Sequence, residues 1–244
     1  MAIDGNLAAS PTDVNFAAMG DGSAKSPERR PRWLPKAGAV ITAGALLLQW
    51  VLFLRRGPEL GLGAIASTAK FLTFMTNLTA MGVLIVFTAA VVGDRSPWAR
   101  WASDPIVQGA MLVYALLVGL VYHFLLSGYW HPDTAWWTAA LLLHYVMPGI
   151  YLLHWSLSVP SGRTRWVHVL WWQAFPIGYV TLIMLIGPGL AGYPYPFLDP
   201  DVLGWPSVLR TMIMVLLGYM GLSALVVALD HWRGGSSGLR ARTG

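Results

Sequence analysis

The sequence predicts an all-α fold, an integral membrane bundle of six transmembrane helices, and three observations carry that prediction. Of 244 residues, 56% are hydrophobic and only 11% are charged, with a mean hydropathy of +0.56. A soluble domain carries about a quarter charged residues, so this chain lacks the polar surface to cover a water-soluble globule. Six apolar segments lie near 37–54, 66–92, 105–127, 136–157, 166–187 and 208–230, each close to the roughly 20 residues that cross a bilayer. The cationic side chains are also unevenly shared: twelve of the sixteen Lys and Arg fall in the N-terminal tail, the 93–104 loop, the 158–165 loop and the C-terminal tail.

Residues 1–36 are rich in Asp, Ser, Gly and Pro and hold no long apolar run. Their cluster Lys25, Arg29, Arg30, Arg32 and Lys36 follows a polar stretch, where a signal peptide would place its charges first. The segment reads as a disordered tail. The opposite set of loops holds only Arg55 and Arg56, and Lys70 and Arg210 lie within or at the ends of apolar segments. The positive-inside rule then puts both termini in the cytoplasm of a cell-membrane protein, and an even number of spans agrees with termini on one side. Residues 37–232 form the transmembrane domain and 233–244 a flexible cytoplasmic tail. The excess of 16 basic over 11 acidic residues sits where it sets topology and contacts anionic lipid, so nucleic acid is not the expected partner. There is no cysteine, hence no disulfide, thiolate nucleophile or cysteine-ligated metal. Thirteen tryptophans, among them Trp136, Trp137, Trp166, Trp171 and Trp172, gather at segment ends as interfacial belts. No phosphate-binding glycine loop, zinc-protease motif or serine-hydrolase elbow occurs, and no cofactor or metal is expected.

Against that background a few polar residues stand out. His144 lies in the fourth apolar segment, within Leu141-Leu142-Leu143-His144-Tyr145-Val146-Met147-Pro148. An imidazole in hydrocarbon loses water at both ring nitrogens and needs protein partners or a wet pocket. Pro148 has no N–H for the carbonyl of residue 144, so the helix must bend or leave that oxygen free at the histidine. In the second segment Lys70, Thr73 and Asn77 fall at i, i+3 and i+7 and share one face, with Thr76 adjacent. Counting from the segment starts puts Thr73 about 10 Å and His144 about 12 Å deep, at one level near the outer face. Tyr122 and His123 reach the same outer third.

A threonine hydroxyl becomes a nucleophile when a neutral imidazole takes its proton, so Thr73 and His144 are the candidate pair for attack on an acyl carbonyl. Asn77, Lys70 or Tyr122 would donate to the oxyanion. Plainer readings stand beside this one. Membrane threonines commonly bond a carbonyl of their own helix, Lys70 would snorkel to the interface, and His144 would join two helices. His123 and His144 would pair as haem ligands only on two facing helices, and no attachment motif accompanies them. The loop 188–207 alternates prolines and aromatics in Gly192-Tyr193-Pro194-Tyr195-Pro196-Phe197-Leu198-Asp199, which reads as an ordered lid or a structural cap.

Taken together, K-F-L-T-F at 70–74 with Asn77, V-Y-H-F-L-L at 121–126, L-L-L-H-Y-V-M-P at 141–148 and Y-P-Y-P-F-L-D at 193–199 resemble the bacterial six-pass Pr-six-Pr-type membrane proteins. Those are similar to the eukaryotic androgen-induced protein and to its relative that regulates tissue factor pathway inhibitor. The resemblance covers about residues 37–232, and Y-P-Y-P-F-L-D is its most specific element. It implies a threonine hydrolase of fatty acid esters of hydroxy fatty acids, with Thr73 in the place of the family threonine and His144 in that of the family histidine. The helix of His144 offers no carboxylate to orient the ring, and Asp199, reaching in from the lid, is the candidate for that role.

The expected function is cleavage of a fatty acyl ester that enters from the membrane lipids, through an acyl-enzyme. The alternative is a lipid- or small-molecule-binding protein or transporter using the same pocket. The substrate, protein partners and oligomeric state are not legible in these residues.

Overall fold

Six helices long and apolar enough to cross a membrane run over Trp33–Arg56, Met75–Val92, Pro105–Leu126, Thr134–Ser158, His168–Ile186 and Trp205–Gly235. The structure, a computed structural model, describes residues 31–128, 133–189 and 192–240, and no strand occurs among them. The chain is an all-α bundle and a multi-pass membrane protein. The predicted tail falls outside the described residues up to Arg30.

Helix α1 (Trp33–Arg56) begins inside the predicted tail, because Pro35 occupies its first turn, where a missing N–H is harmless. The second apolar segment is two helices, α2 (Ala64–Leu72) and α3 (Met75–Val92), separated by Phe74 in an extended conformation. A short α4 (Pro97–Ala102) leads to α5 (Pro105–Val121), whose first turn is capped by the Asp104 carboxylate accepting from the Ile106 N–H at 2.7 Å. A π turn, Tyr122–Leu126, extends α5. Asp133 caps α6 (Thr134–Leu141), which passes through a second π turn, Leu142–Val146, into α7 (Met147–Ser158). Then follow α8 (His168–Trp171), α9 (Ala174–Ile186), α10 (Pro200–Leu203) and α11 (Trp205–Arg240).

Small residues let the backbones approach, the usual basis of helix association in lipid. Ala45, Ala80, Ala89, Ala115 and Ala139 are fully buried between helices, and Gly38 lies directly under the Phe87 ring. The closest backbone packing joins α1 to α3, α5 to α11, α5 to α7 and α3 to α5, whereas α9 makes no comparably close approach to another spanning helix. Leu47, Ile85, Leu182 and Leu217 face outward, as a lipid solvent allows.

Helix α11 runs on past residue 233, where a flexible tail was expected. Asp230, buried in its last turns, holds the 159–165 loop: its carboxylate accepts from the Arg163 and Thr164 N–H groups at 2.9 and 2.8 Å and from the Thr164 hydroxyl at 2.8 Å. Arg233 donates to the Ser156 carbonyl and stacks over Trp155. His154 is accommodated in the core, bonded through Nε2 to the Gln108 side-chain oxygen.

Candidate functional site

Three departures from regular α geometry meet at one end of the bundle, and each has a cause in the sequence. The π turn at 142–146 precedes Pro148, which cannot bond the His144 carbonyl. That oxygen points at Gly119 of α5, where an added Cβ would lie 2.5 Å away, so glycine permits the contact. The π turn at 122–126 carries Tyr122, whose ring stacks on the His144 imidazole at 4.0 Å and 17°. The break between α2 and α3 leaves Thr73 at the end of one helix and Thr76 in the first turn of the next.

The bonds around His144 fix its tautomer. Nδ1 lies 2.8 Å from the Ala140 carbonyl, which only accepts, so Nδ1 carries the proton. Nε2 therefore presents its lone pair to the Thr76 hydroxyl, 3.3 Å away. The Tyr195 hydroxyl stands 3.5 Å from the same Thr76 oxygen.

Tyrosines surround this first turn of α3. Tyr179 donates to the Thr73 carbonyl at 2.7 Å and Tyr219 to the Met75 sulfur at 3.3 Å. Tyr195 is buried beside the start of α3 and lines both of the cavities that converge there. Burial raises the Tyr195 pKa, which keeps the phenol protonated as a donor. Its ring stacks on Phe197 at 5.2 Å and meets Phe74 edge-on at 5.4 Å.

Two cavities converge here. One, of about 400 Å³, lies where α9 stands off from α5 and α11, lined by Val118, Ile177, Val180, Leu209, Met212 and Leu216. The other, of about 390 Å³, opens between α1, α2 and α6, with Gln49, Arg56, Ser67, Lys70, Asn77 and Tyr122 among largely apolar walls. Thr76, His144, Tyr195 and Leu126 line both.

The predicted residues are redistributed by this geometry. His144 is in the site, but its hydroxyl partner is Thr76. The Thr73 hydroxyl donates to the Lys70 carbonyl at 2.7 Å, and Thr73 lines neither cavity. The helix break also ends the common face expected of Lys70, Thr73 and Asn77. Asn77 is fully buried and bridges that break, donating its amide to the Phe71 carbonyl at 2.8 Å. Lys70 bonds the Gly192 carbonyl, tying α2 to the lid, and partial burial lowers its pKa. Tyr122 gives His144 a stacked ring face. His123 is exposed and pairs through Nδ1 with the Tyr145 hydroxyl. Asp199 caps α10, accepting from the Asp201 N–H at 2.9 Å, and the Ala140 carbonyl holds the imidazole proton instead.

Fold and site together define a multi-pass membrane protein with a hydroxyl–imidazole pair at the junction of two largely apolar cavities. Comparison with family models, curated proteins and solved structures finds no match to this chain.

Proposed function

We propose that the protein is an intramembrane hydrolase of lipid esters in which Thr76 is the nucleophile and His144 the general base. The supporting observation is the Thr76 hydroxyl aimed at the unprotonated Nε2 of an imidazole whose Nδ1 proton is held by a backbone carbonyl. Thr76 Oγ1 attacks the ester carbonyl carbon as its proton passes to Nε2. The carbon–oxygen bond to the leaving alcohol then breaks, and that oxygen takes the proton from Nε2. Water repeats the sequence on the acyl-threonine and releases the acid. Two cavities meeting at the pair give an ester with a chain on each side of its carbonyl room for both limbs.

The resemblance to the threonine hydrolases implies the same reaction type, and the contact of the Thr76 hydroxyl with His144 supports Thr76, in place of Thr73, as the nucleophile. The distribution of Lys and Arg supports a cell-membrane protein with both termini in the cytoplasm, so the site faces the outer leaflet. A second reading, lipid binding without turnover, is favoured by the apolar lining of both cavities.

A fluorophosphonate probe on the purified protein separates the two. Labelling that is lost in Thr76→Ala and His144→Ala but kept in Thr73→Ala, all with wild-type thermal midpoints, supports hydrolysis. Absence of labelling alongside retained fatty-ester binding supports the binding reading.

A further inference from the structure

Resting on the hydrolase reading, the geometry points to Tyr195 as the side chain that donates to the oxyanion, delivered to the site by the 192–203 loop. An ester carbon bonded to Thr76 Oγ1 carries its former carbonyl oxygen beside the nucleophile. A phenol 3.5 Å from Oγ1 is within reach of that position.

Other donors around Thr76 are engaged elsewhere at rest: the Tyr179 proton is on the Thr73 carbonyl, that of Tyr219 on the Met75 sulfur, one Asn77 amide N–H on the Phe71 carbonyl, and the Lys70 ammonium bonds the Gly192 carbonyl. Tyr122 offers His144 its ring face. Tyr195 differs in that it lines both cavities and its hydroxyl stands 3.5 Å from the Thr76 oxygen, whose own proton is directed at His144 Nε2. The phenol proton is therefore placed for the Thr76 oxygen at rest and for the oxyanion during reaction. The stack on Phe197 and the edge contact with Phe74 hold the ring in place.

The chemistry balances without any further reactant. When Oγ1 bonds to the carbonyl carbon, the carbonyl π pair moves onto oxygen, the Thr76 proton moves to His144 Nε2, and Tyr195 contributes a hydrogen bond while keeping its proton. On collapse the pair returns to the carbonyl, and the alkoxide leaves with the Nε2 proton. Deacylation uses the same donor in the reverse sense.

Tyr195→Phe keeps the ring and removes the donor. With a p-nitrophenyl ester of a medium-chain fatty acid as probe, kcat falls by about 100-fold or more, the scale for losing one oxyanion donor, while KM stays within about twofold. A trifluoromethyl ketone, whose hemiketal adduct carries an oxyanion, loses affinity to a similar degree, and a non-hydrolysable fatty amide does not. Tyr193→Phe, which removes a hydroxyl from the same loop at a residue that lines neither cavity, keeps wild-type kcat. Wild-type kcat in a folded Tyr195→Phe protein overturns the inference, as does faster turnover, which would make Tyr195 a plug. Equal losses for the ketone and the amide assign a merely structural role and overturn it too. A wild-type protein without Thr76-dependent turnover removes the hydrolase reading itself, and with it this one.

Discussion

Replacing Gly119 with alanine tests how the histidine is positioned. A Cβ at 119 lies 2.5 Å from the His144 carbonyl oxygen, where ordinary contact begins at 3.4 Å, so α5 and the π turn must part by about 1 Å. The obstacle is backbone in a segment fixed by Pro148, and no side chain can rotate out of the way. Overpacking of this kind costs about 1–3 kcal/mol. The Thr76–His144 contact is already 3.3 Å long, and a displacement near 1 Å at such a pair lowers turnover by about 100-fold. The assay is the rate of fluorophosphonate labelling at a temperature where the variant is folded, with the thermal midpoint measured in parallel. Gly149→Ala is the control, since a Cβ there meets nothing within 4 Å and the helix gains from alanine. Wild-type labelling and midpoint for Gly119→Ala would refute the reasoning.

Three further outcomes follow from named contacts. Asp230→Asn weakens the three bonds to residues 163 and 164 and lowers stability by about 1.5–3 kcal/mol, read as a lower thermal midpoint with labelling retained in the cold. Asp199→Asn leaves activity and stability near wild type because asparagine caps as well, whereas Asp199→Ala costs about 1 kcal/mol; loss of turnover in the asparagine variant would instead place the carboxylate in catalysis. Leu216→Trp narrows the cavity beside α11, so turnover of long-chain p-nitrophenyl esters falls while that of short-chain ones is kept; equal effects on both would show that no chain lies there.

Much of the fold was legible because bilayer thickness and backbone satisfaction leave few choices for apolar segments of this length. The helix break at Phe74 was not, since Thr73-Phe74-Met75 contains neither glycine nor proline to announce it. That break overturned the arithmetic of depth and face, which assumed one helix from 66 to 92, and let Thr76 take the place expected of Thr73. The bland alternative for Thr73, a bond to its own helix, is what the structure shows. Pro148 did announce irregularity at His144, although the π turn and the answering Gly119 needed coordinates. Tyr195 lay in view within the proline-aromatic loop, but nothing local tells which of Tyr193, Tyr195 or Phe197 turns inward. Asp199 followed the commoner rule for an aspartate before Pro200, and capped a helix.

Tandem mass spectrometry of the fluorophosphonate-labelled protein tests the central claim most directly, because it reads the nucleophile without any substitution. The account predicts one adduct, on the side chain of Thr76. An adduct on Thr73, or on any residue outside the junction of the two cavities, would contradict it.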